Sequence, residues 1–153
     1  MLQIIITILS AIFIATISSW ITIQLSLKRF RSERWWEKKA EAYSKIIEAM
    51  HDFKAFSEKH LEAMIGGHEI SDERDVELRH RAKTARREID KIIDTGQFLL
   101  SEKSNIRLKK FISEIHSFEN KSDWFEYLQY DLSISNKCLM DLIQLAKEDL
   151  KTE

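Results

Sequence analysis

Arg79-His80-Arg81-Ala82-Lys83-Thr84-Ala85-Arg86-Arg87 holds five basic residues and no acid. Helical spacing puts Arg79, Lys83 and Arg86 on one face, with Arg87 at its margin. Phosphates are held by guanidinium forks and ammonium charges presented together, so Arg79, Lys83, Arg86 and Arg87 are the candidate ligand-binding residues for an anion. Lys109 and Lys110 are candidates to add to them, and in a symmetric oligomer the face would become a ring of positive charge. The competing expectation, the usual one for a helix surface, is a solvated face whose charges pair with Glu73, Asp75, Glu77 and Asp90. With a net charge of −1, any anion preference must come from a local cluster and not from the overall field.

Other chemistries find less support. His51, His60, His68, His80 and His116 are scattered, and none forms an HExxH-type pair. Glu58 and Glu62 flank His60 without the usual ligand spacing, so no metal is expected. The sequence has no GxSxG, P-loop or GxGxxG. Cys138, the single cysteine, lies among Leu132, Leu139 and Leu142 and reads as a core residue; it supports no intramolecular disulfide and fits a reducing cytoplasm. Trp124, Tyr127 and Tyr130 could stack a base, with core packing the favoured expectation. The chain is therefore expected not to be an enzyme, to carry no cofactor and to bind no duplex nucleic acid.

The element that must position these residues is an uncharged run. Leu2 to Leu27 is 26 residues without a charge, and Lys28 and Arg29 follow at once. About 20 apolar residues at roughly 1.5 Å each span a bilayer's hydrocarbon core, so the run is long enough with some tilt. Its serine and threonine hydroxyls can return to helix carbonyls. A cleaved signal peptide would need a basic residue ahead of the apolar core and a shorter run; nothing basic precedes Ile4. A retained transmembrane anchor over 1–27 is expected. Lys28, Arg29, Arg31, Arg34, Lys38 and Lys39 outnumber Glu33 and Glu37 just after it, which sets a single pass in the inner membrane with the N-terminus outside and residues 28–153 cytoplasmic. Trp20, Trp35 and Trp36 are compatible with interfacial positions. Thr7, Ala11, Ala15, Ser18, Thr22 and Ser26 step by four and three along one narrow stripe, which favours self-association of anchors. Rotated toward water in an oligomer, that stripe would line a pore.

The fold class is all-α: the anchor followed by a bundle of about four helices. Proline is absent, and glycine occurs only at Gly66, Gly67 and Gly96. From Lys28 to Ile65 nothing interrupts a helix, so it is expected to run on from the anchor as one rod. Trp36, Ala40, Tyr43, Ile47 and Met50 form its seam, widened by Phe53, Phe56, Leu61 and Met64. Gly66-Gly67 ends it, and Ser71 caps a second helix with Asp72 and Glu73 in its first turn. Val76, Ala82, Ala85, Ile89, Ile92 and Ile93 give that helix its apolar side, and Gly96 breaks it. A third helix carries Ile106, Leu108, Phe111, Ile112 and Ile115. Asn120 and Lys121 turn the chain, and Ser122 caps the last helix, whose seam is Leu128, Leu132, Ser135, Leu139, Leu142 and Ala146.

Three blocks carry a resemblance: Arg34-Trp35-Trp36-Glu37-Lys38-Lys39-Ala40-Glu41-Ala42-Tyr43; Asp94-Thr95-Gly96-Gln97-Phe98-Leu99-Leu100-Ser101; and Cys138 through Ala146-Lys147-Glu148-Asp149-Leu150. They resemble small bacterial proteins with one N-terminal membrane helix and a helical cytoplasmic part. Size and layout are also similar to the membrane effector of type III CRISPR systems, which binds cyclic tetra-adenylate as a tetramer and perturbs the membrane. The likeness implies an antiviral effector: a homo-oligomer, tetrameric on this likeness, that is embedded in the lipid bilayer, binds a cyclic oligoadenylate at its cytoplasmic domain and acts through its membrane helices. The basic face is assigned from the residues, not from that likeness. The alternative is a membrane-anchored helical scaffold that recruits a protein partner and takes no small ligand.

Overall fold

The computed structural model describes residues 2–118 and 123–151, with side chains described at 13–96, 98–117 and 123–151. The elements are α1 (Leu2–Gly66), α2 (Asp72–Thr95), a 3-10 turn at Gly96–Phe98, α3 (Glu102–Phe118) and α4 (Trp124–Lys151). Among the described residues there is no strand. The chain divides into two compact units, Met1–Glu37 and Lys38–Glu153. That division lies ten residues beyond the boundary expected at Leu27, within the basic stretch.

The first unit is helical and open. Phe13, Ile14, Trp20 and Leu25 are 64–66% exposed. Thr16 Oγ1 donates to Phe13 O at 2.9 Å and Thr22 Oγ1 to Ser18 O at 2.8 Å, so these two hydroxyls are satisfied by their own helix. Among the described residues no helix is long and apolar enough to cross a membrane. Phe13 to Leu27 spans only about 22 Å at roughly 1.5 Å per residue, short of a core of about 30 Å. The other end of the uncharged run, with Thr7 and Ala11 of the small-residue stripe, has side chains outside the described residues; the anchor expected over 1–27 falls partly there.

The second unit is a helical bundle with one core. Its fully buried members are Tyr43, Ile46 and Met50 on α1, Ile89 on α2, Leu108 and Phe111 on α3, and Cys138 and Leu142 on α4. Phe53 meets Phe111 edge-on at 5.7 Å, a favoured aromatic geometry. The α1 seam is Tyr43, Ile46, Met50, Phe53 and Ser57, in alternating threes and fours. It is rotated slightly from the expected one: Ile46 is buried where Ile47 was expected, and Trp36 is 43% exposed. Leu78 replaces Val76 on the α2 core face, and Ile106 of α3 is 60% exposed. The α4 seam runs through Leu128, Asp131, Ser135, Cys138 and Leu142, so a carboxylate sits in line with the apolar positions.

The turns follow local chemistry. Gly67 takes φ +64°, the left-handed conformation that closes α1, and His68 N donates back to Ala63 O at 3.1 Å. Ser71 caps α2 by accepting from Arg74 N, with Asp72, Glu73 and Asp75 in the first turn. Gly96 sits close to its neighbours: a Cβ there would lie 3.3 Å from Ile92 Cγ2, which would have to shift slightly, and in ordinary contact with Leu100. The turn expected at Asn120–Lys121 and the Ser122 cap lie outside the described residues.

Candidate functional site

The cations of α2 are directed by α2's packing against its neighbours. Arg79 Nε donates to Asp75 Oδ2 at 2.8 Å, and its guanidinium lies 5.6 Å over the Phe56 ring of α1. Arg81 Nη2 donates to Asp52 of α1 at 2.5 Å. Arg86 has only 20% of its side chain exposed; it bonds Asp90 at 3.4 Å and donates to His116 Nε2 of α3 at 3.0 Å. A guanidinium only donates, so His116 accepts through Nε2 in this contact. Lys83 and Arg87 are exposed and form no ion pair among the described residues. Lys110 pairs with Glu114 at 3.9 Å. Of the four candidate anion ligands, then, two are engaged by acids and two are not.

Arg79 lines a cleft of about 380 Å³ with His60, Met64, Glu69, Asp72 and Trp124. His60 Nδ1 meets Phe56 O and Nε2 meets Asp75 Oδ1, both at 2.8 Å. A carbonyl and a carboxylate both accept, so both contacts are hydrogen bonds only when the ring carries two N–H groups. Arg79, and after it His60, holds the Asp75 carboxyl below the usual carboxylate range. Trp124 stacks on Tyr127 at 5.5 Å and stands edge-on to His60 at 6.1 Å. Trp124 is 43% exposed where core packing was expected, and Tyr130 is half-buried against the core. A phosphate entering this cleft would have to displace Asp75 from Arg79 and sit beside Glu69 and Asp72.

Two buried polar clusters were not anticipated. In the first, the Tyr43 hydroxyl lies 2.8 Å from Ser104 Oγ and 3.4 Å from Ser101 Oγ, and it donates to Asp149. Burial, and after it the bond to Asp149, pushes the Tyr43 phenol up. Lys39 Nζ also reaches Asp149 O, at 3.4 Å. Tyr43 closes the first of the three blocks singled out in the sequence, Ser101 closes the second and Asp149 lies in the third. The structure brings the three together at one hydroxyl, joining α1, the α3 N-terminus and α4.

In the second cluster, Ser57 Oγ donates to Asp131 Oδ2 at 2.5 Å. Asp131 is 4% exposed, and burial raises its carboxyl to about 6 despite the Ser57 bond and the Arg86 charge. Ser135, one turn on, is fully buried, and its hydroxyl has no partner among the described residues. The signal for Asp131 was legible: it falls at the three-and-four spacing of the α4 seam. Nearby on α4, burial pushes the Cys138 thiol up to about 12, which removes thiolate chemistry at neutral pH. Among the described residues no group of three His, Cys, Asp or Glu could hold a metal ion.

The arrangement defines a small α-helical bundle protein whose interior polar groups tie helices together. No family model, curated protein or solved structure matches the chain.

Proposed function

We propose that the chain is a membrane-tethered helical recruitment module, anchored through 1–27, whose bundle presents a protein-binding surface in the cytoplasm. The observation that carries this reading is the uncovered apolar surface of the first unit. Phe13, Ile14, Trp20, Ile23 and Leu25 are each at least 55% exposed on an uncharged helical run. A contiguous apolar surface of that kind calls for lipid or a partner to cover it. The basic stretch directly after it favours lipid, with the bundle on the cytoplasmic side.

Recruitment of a protein is favoured over the cyclic oligoadenylate effector because Arg79 and Arg86 are engaged by Asp75, Asp90 and His116. The effector reading keeps one point of support, Lys83 and Arg87, which form no ion pair among the described residues. Two measurements test the proposal. A fluorescent protein fused after Glu153 should light up in the cytoplasm, and alkaline phosphatase at the same place should be inactive; the reverse pattern removes the orientation. Titration of the full chain in nanodiscs with cyclic tetra-adenylate should show no saturable binding. Binding that disappears in R79A/K83A/R86A would replace recruitment by the effector reading.

A further inference from the structure

The stretch that follows the apolar run sorts its charges by helix face. Arg29 Nε bonds Glu33 Oε1 at 2.8 Å, and Arg34 pairs with Glu37 at 3.6 Å. Both acids of this stretch are thereby occupied. Lys28 and Arg31 form no ion pair among the described residues. At about 100° per residue, Lys28, Arg31 and Trp35 fall within an arc of about 60°, and Glu33 and Glu37 lie on the far side of the helix. Trp35 is 43% exposed and Phe30 is 55% exposed. One face of this segment therefore carries two uncompensated cations and a half-exposed indole, and the two acids, each held by an arginine, lie on the opposite side.

We infer that the Lys28–Arg31–Trp35 face binds the headgroups of acidic phospholipids. The inference rests on the membrane-anchor reading and adds the class of lipid. Three features point to lipid as the occupant. The face continues directly from the apolar run, so both meet the same bilayer surface. Its charge complements an acidic leaflet, and basic residues just cytoplasmic of a membrane helix are attracted to anionic lipid. Its indole is of the kind that settles at headgroup depth, with an apolar ring and one N–H donor. Ammonium and guanidinium groups presented one turn apart suit the phosphodiester of a headgroup.

The test uses the full chain reconstituted in phosphatidylcholine vesicles that contain a minor fraction of brominated lipid, either phosphatidylglycerol or phosphatidylcholine, with tryptophan quenching as the readout. Brominated phosphatidylglycerol should quench more strongly than brominated phosphatidylcholine, by about twofold or more at low salt, and the excess should shrink in high salt. K28Q/R31Q should abolish the excess. R29Q/R34Q, which removes the same charge from the two arginines already paired with Glu33 and Glu37, should retain most of it. Equal quenching by the two brominated lipids in the unaltered chain overturns the headgroup assignment and leaves the anchor standing. Equal loss in the two double variants overturns the assignment to this face. Quenching by neither lipid overturns the anchor, and the headgroup site with it.

Discussion

The cations of α2 and those just after the apolar run meet opposite fates. On α2, Arg79 pairs with Asp75 of its own helix, and Arg81 and Arg86 make contacts that bridge the bundle: Arg81 to Asp52 of α1, and Arg86 to His116 of α3. After the apolar run, Lys28 and Arg31 form no ion pair among the described residues, and both neighbouring acids are taken by Arg29 and Arg34. Both stretches look basic in sequence. What separates them is the supply of partners: α2 has Asp75 and Asp90 one turn from its arginines and meets Asp52 and His116 of other helices, whereas Glu33 and Glu37 are already taken by Arg29 and Arg34. A run of like charge is therefore a poor guide to a ligand site until its intramolecular acids are placed.

The sharpest way to break this contrast is at Asp131, the buried acid that feels the Arg86 charge. Its carboxyl is raised from 3.8 to about 6 in the folded state. The folded state thus holds a proton that the unfolded chain has already released between about pH 4 and 6. Stability should fall as pH rises through that window and stay lower above it. Asp131→Asn should remove the fall and gain up to about 3 kcal/mol at pH 8, read from urea midpoints at pH 4.5 and 8. A substitution that lowers stability equally at both pH values would contradict the buried, proton-retaining acid.

Arg86→Ala should destabilise by about 1–2 kcal/mol and push the Asp131 transition to higher pH, since the guanidinium favours the ionised carboxylate. Tyr43→Phe supplies a reference from a well-partnered cluster, with an expected cost of about 1–3 kcal/mol and no new pH dependence between pH 4.5 and 8. A double-mutant cycle on Arg81 and Asp52, whose side chains are 40% and 36% exposed, should return only about 0.2–1 kcal/mol. K28Q/R31Q should leave the urea midpoint of the bundle within about 0.5 kcal/mol of the parent. A loss as large as that of Arg86→Ala would mean that these cations too are spent on folding.

The helices were legible because glycine and serine punctuate the chain at the right places. Gly66-Gly67, Ser71 and Gly96 each act where the sequence reading put them, although Gly96 leads into a 3-10 turn. Seams were legible to within one helical position: Tyr43 and Met50 are core, but burial chose Ile46 over Ile47 and Leu78 over Val76. Periodicity alone cannot separate adjacent residues when both are apolar, because the rotation is set by what each helix packs against. Of the polar interior, Ser135 was read on the α4 seam and the rest was not. Looking only for apolar seams passes over Asp131 and Ser57, and the Tyr43–Ser101–Asp149 contact joins residues 106 apart in sequence at its extremes. The engagement of Arg79 by Asp75 and of Arg86 by Asp90 was within reach and follows the competing expectation, since each pair lies one helical turn apart. Arg86 to His116 was not, since it depends on how α3 lies on α2.

The central claim is that the uncharged run up to Leu27 is seated in lipid. Alkaline carbonate extraction of membranes from cells expressing the untagged full chain tests it most directly, followed by immunoblotting of pellet and supernatant. The intact chain should remain in the pellet and leave it only with detergent. Release of the intact chain into the carbonate supernatant would contradict the anchor, and with it the recruitment module and the headgroup site.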